Sequence, residues 1–120
     1  MTQKITSHTA TYTNGQTSEE GQYLQGQKTG LWTYYFQNGR IKATGHYLND
    51  KKQGEWKWYT AKGKRKQIGF YDQDHKVGEW QRFHPTGVLR EEGYYEYDRR
   101  IGRWRTYAPQ GLMDSEKHYE

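Results

Sequence analysis

Trp32, Trp56, Trp80 and Trp104 stand 24 residues apart. Gly30, Gly54, Gly78 and Gly102 precede them by two positions, and Gly39, Gly63, Gly87 and Gly111 follow by seven. Tyr23, Tyr47, Tyr71, Tyr95 and Tyr119 keep the same step. A fixed period of roughly 20–50 residues marks a repeat array, in which each unit buries its apolar face only against its neighbours. The 120 residues divide into five units without insertion or deletion: 1–24, 25–48, 49–72, 73–96 and 97–120. Read as a single repeat domain, the chain has its first and last units as caps, since His8 replaces the Trp of unit one and Lys117 replaces a glycine of unit five. Such an array favours an extended binding surface over an enclosed catalytic pocket.

Composition decides whether the array is ordered. Only 31% of residues are hydrophobic, which on its own points towards disorder, but 17% are aromatic, and disordered chains are poor in aromatics. The buried surface must therefore come from Trp and Tyr. There is no cysteine, which removes disulfides and thiolate metal sites. The start, MTQKITSHTATYT, carries no apolar stretch of the signal-peptide kind, and the cytoplasm is the expected location. The net charge of +5 suits an acidic partner without requiring one.

Within a unit the pattern is that of a β-hairpin. Leu31 to Phe36 is a run of strand formers, Asn38-Gly39 is a strong turn signal, and Ile41 to Leu48 is a second extended run. The segment 49–53 is a second polar turn, with Asp50 echoed by Asp74 and Asp98. The expected fold is all-β, an antiparallel meander of about ten strands in one elongated twisted sheet, roughly 45–50 Å long at ~4.8 Å per strand. A two-residue type I′ turn at Asn38-Gly39 sets Trp32 opposite Gly45, and a two-residue turn at Asp50-Lys51 sets Gly45 opposite Trp56. Directly opposed side chains are only about 4.5–5.5 Å apart, so the indoles need glycine between them and in turn cover its backbone. The same reasoning applies to Gly69 with Trp80 and to Gly93 with Trp104. These residues are scaffold first. The same turn arithmetic sets Tyr47 between Gly30 and Gly54, and sets Tyr35, Tyr59 and Phe83 opposite Lys42, Lys66 and Arg90 on the Trp-free face, each an aromatic–cation pair.

The motif G-x-W-x-x-(Y/F)-x-x-x-G-x5-G-x-Y is filled by Gly30-Trp32-Tyr35-Gly39-Gly45-Tyr47, by Gly54-Trp56-Tyr59-Gly63-Gly69-Tyr71 and by Gly78-Trp80-Phe83-Gly87-Gly93-Tyr95. It resembles the MORN-repeat variant and, within it, the bacterial YwqK-like antitoxins of toxin–antitoxin systems. That resemblance covers residues 6–119. It implies a β-hairpin array that acts by binding a protein, and it brings no catalytic residues.

Site chemistry is sparse. His8, His46, His75, His84 and His118 are scattered, so no metal site is expected, nor any cofactor. The serines Ser7, Ser18 and Ser115 lie in the terminal units, away from any triad. Glu91, Glu92, Glu96 and Asp98 read as solvated acidic surface; Glu91 and Glu92 point to opposite faces of a strand and cannot act as an acid/base pair. KGKRK at 62–66 reads as a charged hairpin turn. The expected function is non-enzymatic: neutralising a protein partner such as a toxin, effector or host defence nuclease, as an antitoxin, immunity protein or phage-encoded inhibitor does. The expected contacts are Tyr35, Lys42, Tyr59, Lys66, Phe83, Arg90 and Tyr107, aromatic and cationic residues of the type that dominate binding hot spots. The face bearing Tyr34 and Trp58 is second. Nucleic acid or anionic lipid is the alternative partner, and homodimerisation or a scaffold role a third reading.

Overall fold

The computed structural model describes residues 4–120; residues 1–3 of the first unit lie outside the described residues. The chain forms β1 (Ile5–Thr11), β2 (Thr17–Leu24), β3 (Gln27–Tyr35), β4 (Ile41–Leu48), β5 (Lys51–Tyr59), β6 (Arg65–Asp72), β7 (His75–Phe83), β8 (Leu89–Glu96), β9 (Arg99–Tyr107) and β10 (Met113–Tyr119). They pair in chain order, all antiparallel, in a single open sheet. The described residues extend over 52 × 36 × 15 Å, close to what ten strands at ~4.8 Å spacing require. No helix occurs among them.

The core is one face of the sheet. Trp32, Trp56 and Trp80 are at most 1% exposed, and Trp104 is 3% exposed. Trp32 pairs with Gly45, and Gly45 pairs with Trp56, as the register arithmetic requires. The indole nearest each glycine is that of the following strand. A Cβ built on Gly45 would fall 2.2 Å from the Trp56 ring, and one on Gly69 the same distance from Trp80. Each Trp covers the glycine 11 residues before it, on the preceding strand. Its Nε1–H then donates to a backbone carbonyl 10 residues back: Trp32 to Gln22 at 3.1 Å, Trp56 to His46 at 3.0 Å, Trp80 to Phe70 and Trp104 to Tyr94, both at 3.1 Å. That hydrogen bond satisfies the one polar atom a buried indole carries.

Tyr rings complete a continuous aromatic ladder. Tyr47 meets Trp32 and Trp56 edge-on at 5.9 and 5.1 Å, and Tyr71 and Tyr95 repeat the contact with Trp80 at 5.2 and 5.6 Å. Such edge-to-face pairs are each worth about 0.5–1.5 kcal/mol beyond burial. Tyr34 and Trp58 fill the spaces between successive Trp columns, Trp58 lying 6.0 Å from Trp56 and 5.9 Å from Trp80. At the first strand His8 stacks on Trp32 at 5.4 Å. At the last, Lys117 pairs with Trp104.

Both turn classes differ from the expected geometry, and the differences move residues. The tight two-residue turn is Asn49-Asp50 (φ 51° and 68°), not Asp50-Lys51. Tyr47 therefore pairs with Lys52 rather than Gly54 on that side, while its pairing with Gly30 stands. The register returns at Trp56 because β5 takes up Gly54 and Glu55 without partners on β4; Gly54 has φ 77°, which a side chain would resist. At the other end, the Phe36 carbonyl accepts from Gly39 N at 2.9 Å while Phe36 N donates to the Arg40 carbonyl at 2.8 Å. Only Gly39 has positive φ. This is a three-residue loop with a bulge rather than a type I′ turn, the next commonest hairpin connection. Asn-Gly suits both, and here Asn38 Oδ1 instead accepts from Arg40 N at 2.9 Å, a local Asx contact.

Candidate functional site

The three-residue loops slip the register by one residue. Tyr35 pairs with Ile41, Tyr59 with Arg65 and Phe83 with Leu89. The expected oppositions of Tyr35 with Lys42, Tyr59 with Lys66 and Phe83 with Arg90 do not form. Instead Lys42, Lys66 and Arg90 are the extra residues of their bulges, absent from the pairing on either side. Bulges re-aim side chains, and all three cations are exposed. Ser18 and Asp114 hold the same position in the terminal hairpins. The cation–π contacts that exist are shifted accordingly: the Arg65 guanidinium lies 4.6 Å from the Phe83 ring centre, and Lys42 Nζ lies 5.9 Å from that of Phe36.

Four of the expected contacts meet in one place. Tyr59, Lys66, Phe83 and Arg90 line an open depression of about 510 Å³ at the three-residue-turn end of the sheet, together with Phe36, Pro85 and Arg82. Phe83 is 8% exposed and serves as floor. Tyr35 and Tyr107 lie outside it. The Tyr35 hydroxyl donates to Glu20 Oε1 at 2.5 Å and that of Tyr107 donates to Glu92, and both phenol pKa values are raised by those carboxylate hydrogen bonds. Each loop beside the depression is tied to its outer neighbour. Asn38 Nδ2 donates to the Ala61 carbonyl at 2.8 Å, Arg40 donates to the Lys62 carbonyl, and His84 Nε2 donates to the Tyr107 carbonyl at 2.8 Å. Lys64 Cδ lies 3.7 Å from where a Gly87 Cβ would be. KGKRK is thus a charged hairpin turn packed against the next one.

Charge around this site is unevenly compensated. Glu91 is not solvated surface: at 17% side-chain exposure it accepts from Arg82 Nη1 and Arg100 Nη1, each at 3.0 Å. Its expected exposure fails because β8 lies inside the sheet, and its side chain joins the Trp-bearing face. Glu92 points the other way, towards Tyr107. The Arg82 guanidinium also reaches Gln67 Oε1 at 2.9 Å and the Tyr95 hydroxyl at 3.4 Å. Burial alone would raise the Tyr95 pKa, but the Arg82 hydrogen bond and charge, with Lys76, bring it below the usual phenol value. Burial pushes Tyr71 up to about 12 and also raises Tyr47.

Sequence reasoning missed a second cation column. Lys28, Lys52, Lys76 and Arg100 recur every 24 residues, and each lies over a Trp ring at 4.8, 5.4, 5.4 and 4.0 Å. Their period was the available signal, partly hidden by the Lys-to-Arg change. They cover the aromatic ladder on its solvent side, and each contact contributes about 0.5–1 kcal/mol. On the Trp-free face, shallower depressions of about 360, 210 and 380 Å³ form near Gly21, Gly45 and Gly93, which present no side chain there.

An open sheet of hairpins whose Trp ladder is consumed by packing, with exposed cations at the bulges of one end, defines a repeat-built binding module. The profile of the MORN repeat variant matches residues 28–49, 52–73 and 76–97, more than half of the chain. The chain belongs to this MORN repeat variant family, whose repeats are generally protein- or membrane-binding modules. A comparison with curated proteins gives no match.

Proposed function

We propose that the protein is a non-enzymatic binding module of the cytoplasm that neutralises a protein partner by occupying it, in the manner of an antitoxin, an immunity protein or an inhibitor of a toxin, effector or defence nuclease. The observation that carries this reading is the depression bringing Tyr59, Lys66 and Arg90 together over Phe83, an aromatic and cationic constellation. Tyr and Arg are among the residue types that dominate protein hot spots. The sequence resemblance to YwqK-like antitoxins supports the same direction. The test is affinity capture from the native cell, followed by assay of the captured protein alone and with stoichiometric amounts of this chain. A toxic enzyme whose activity falls in proportion supports the reading. A captured protein whose activity is unchanged, or capture of no protein, contradicts it.

The alternative reading, an anionic lipid or nucleic-acid surface, draws on Lys62, Lys64, Arg65 and Lys66 in one hairpin. Salt titration separates the two. Phosphate binding weakens steeply with salt, in proportion to the phosphates contacted.

A further inference from the structure

We propose that the depression between the third (β5–β6) and fourth (β7–β8) hairpins receives an acidic segment of the partner, with a carboxylate set between Lys66 and Arg90 and its methylenes or a neighbouring aromatic against Phe36, Tyr59 and Phe83. This inference rests on the protein-binding reading above and names the chemistry of its anchor. Three observations converge on it. No carboxylate is among the lining residues, so the site as it stands is a cationic concavity. Arg82 already has its counter-charge in Glu91, which is itself shared with Arg100. Lys66 and Arg90, by contrast, have no ion pair among the described residues.

The backbone explains why these two charges remain available. Both are bulge residues, left out of the ladder pairing with either neighbouring strand, and both are exposed. The equivalent position carries Ser18 and Asp114 in the terminal hairpins, so the positive row Lys42, Lys66, Arg90 is confined to the middle of the array. The occupant must match both halves of the site. Two cations call for anionic charge, and ring walls call for apolar surface beside it. An Asp- or Glu-bearing peptide segment supplies both, whereas a bare phosphate leaves the rings wet. The volume of about 510 Å³ falls within the range of ~300–1,000 Å³ usual for a binding site.

The experiment is an NMR titration of the isotopically labelled full chain with the amidated peptide Glu-Glu-Tyr-Glu-Glu, with inorganic phosphate, and with phosphatidylserine/phosphatidylcholine vesicles in parallel. The expected result is amide shifts confined to 59–67 and 82–91 with the peptide, no binding of the Gln-for-Glu peptide, and about tenfold or greater weakening in Lys66→Ala/Arg90→Ala. Shifts centred on the Trp-free face, or full peptide affinity in the double variant, would overturn the site. So would phosphate binding as tightly as the peptide, or vesicle binding that alone depends on Lys66 and Arg90. A captured partner indifferent to the double variant overturns this anchor and leaves the binding-module reading standing. Peptide binding with no protein captured does the reverse.

Discussion

The two ends of the hairpins solve the same connection problem with opposite freedom. At the tight-turn end, Asp50, Asp74 and Asp98 make one contact three times. Each Oδ1 accepts from the backbone N–H of Lys28, Lys52 or Lys76 in the preceding repeat, at 2.7, 2.7 and 2.8 Å, and each Asp N–H donates to the carbonyl of the same lysine. Those lysines in turn lie over the Trp rings. That end is bound into the aromatic ladder wherever Asp holds the turn; the first tight turn, Gln25-Gly26, lacks the contact, and the exposed position before the Asp varies from Asn49 to Gln73 to Tyr97. At the three-residue-turn end the backbone is equally regular, but the bulge residue changes from Ser18 to Lys42, Lys66, Arg90 and Asp114. A repeat protein can thus keep one end as structure and use the other for recognition.

Perturbing the two ends should give effects of different kinds. Trp80→Ala removes the centre of the ladder and its hydrogen bonds to Phe70 and Val77; it is expected to cost about 3–5 kcal/mol in urea unfolding followed by tryptophan fluorescence. Gly69→Ala pushes a methyl into the Trp80 ring and should cost about 1–3 kcal/mol or more, with altered near-ultraviolet circular dichroism. Asp74→Ala should cost about 1 kcal/mol, because a charged acceptor of the Lys52 N–H is lost at a solvent-exposed turn. Lys66→Ala should change stability by less than about 0.5 kcal/mol. An Asp74→Ala effect no larger than that of Lys66→Ala would erase the contrast between the ends.

Alkali should also act through the ladder. Burial pushes the Tyr71 phenol up to about 12 and raises that of Tyr47 as well. The unfolded phenols ionise near ~10, so above that pH the unfolded state loses protons the folded state keeps. Stability present below pH ~10 is therefore lost as pH rises towards 12. Unfolding free energies measured from pH 8 to 12 should fall above pH ~10, and a flat profile would mean that Tyr47 and Tyr71 are solvated.

The parts of this architecture legible in the sequence were those set by period and parity. Trp32 opposite Gly45 follows from counting: the three-residue loop shifts the pairing by one residue at Tyr35, and the bulge at Lys42 shifts it back before Trp32 is reached. Turn type was not legible, since Asn-Gly serves both loop classes and the choice rests on the Phe36–Arg40 hydrogen bond. That one choice decides whether Lys66 faces Tyr59 or stands free of the ladder. Glu91 was misplaced for a related reason: its burial depends on Arg82 and Arg100, nine residues away on either side in sequence and brought adjacent only by strand pairing.

The most direct test of the division between ends compares stability and affinity in one variant. For Lys66→Ala/Arg90→Ala, the account predicts an unfolding free energy within about 0.5–1 kcal/mol of the parent, together with about tenfold or greater loss of affinity for the captured protein partner. A double variant that unfolds early, yet holds its partner as tightly as the parent chain does, would contradict it.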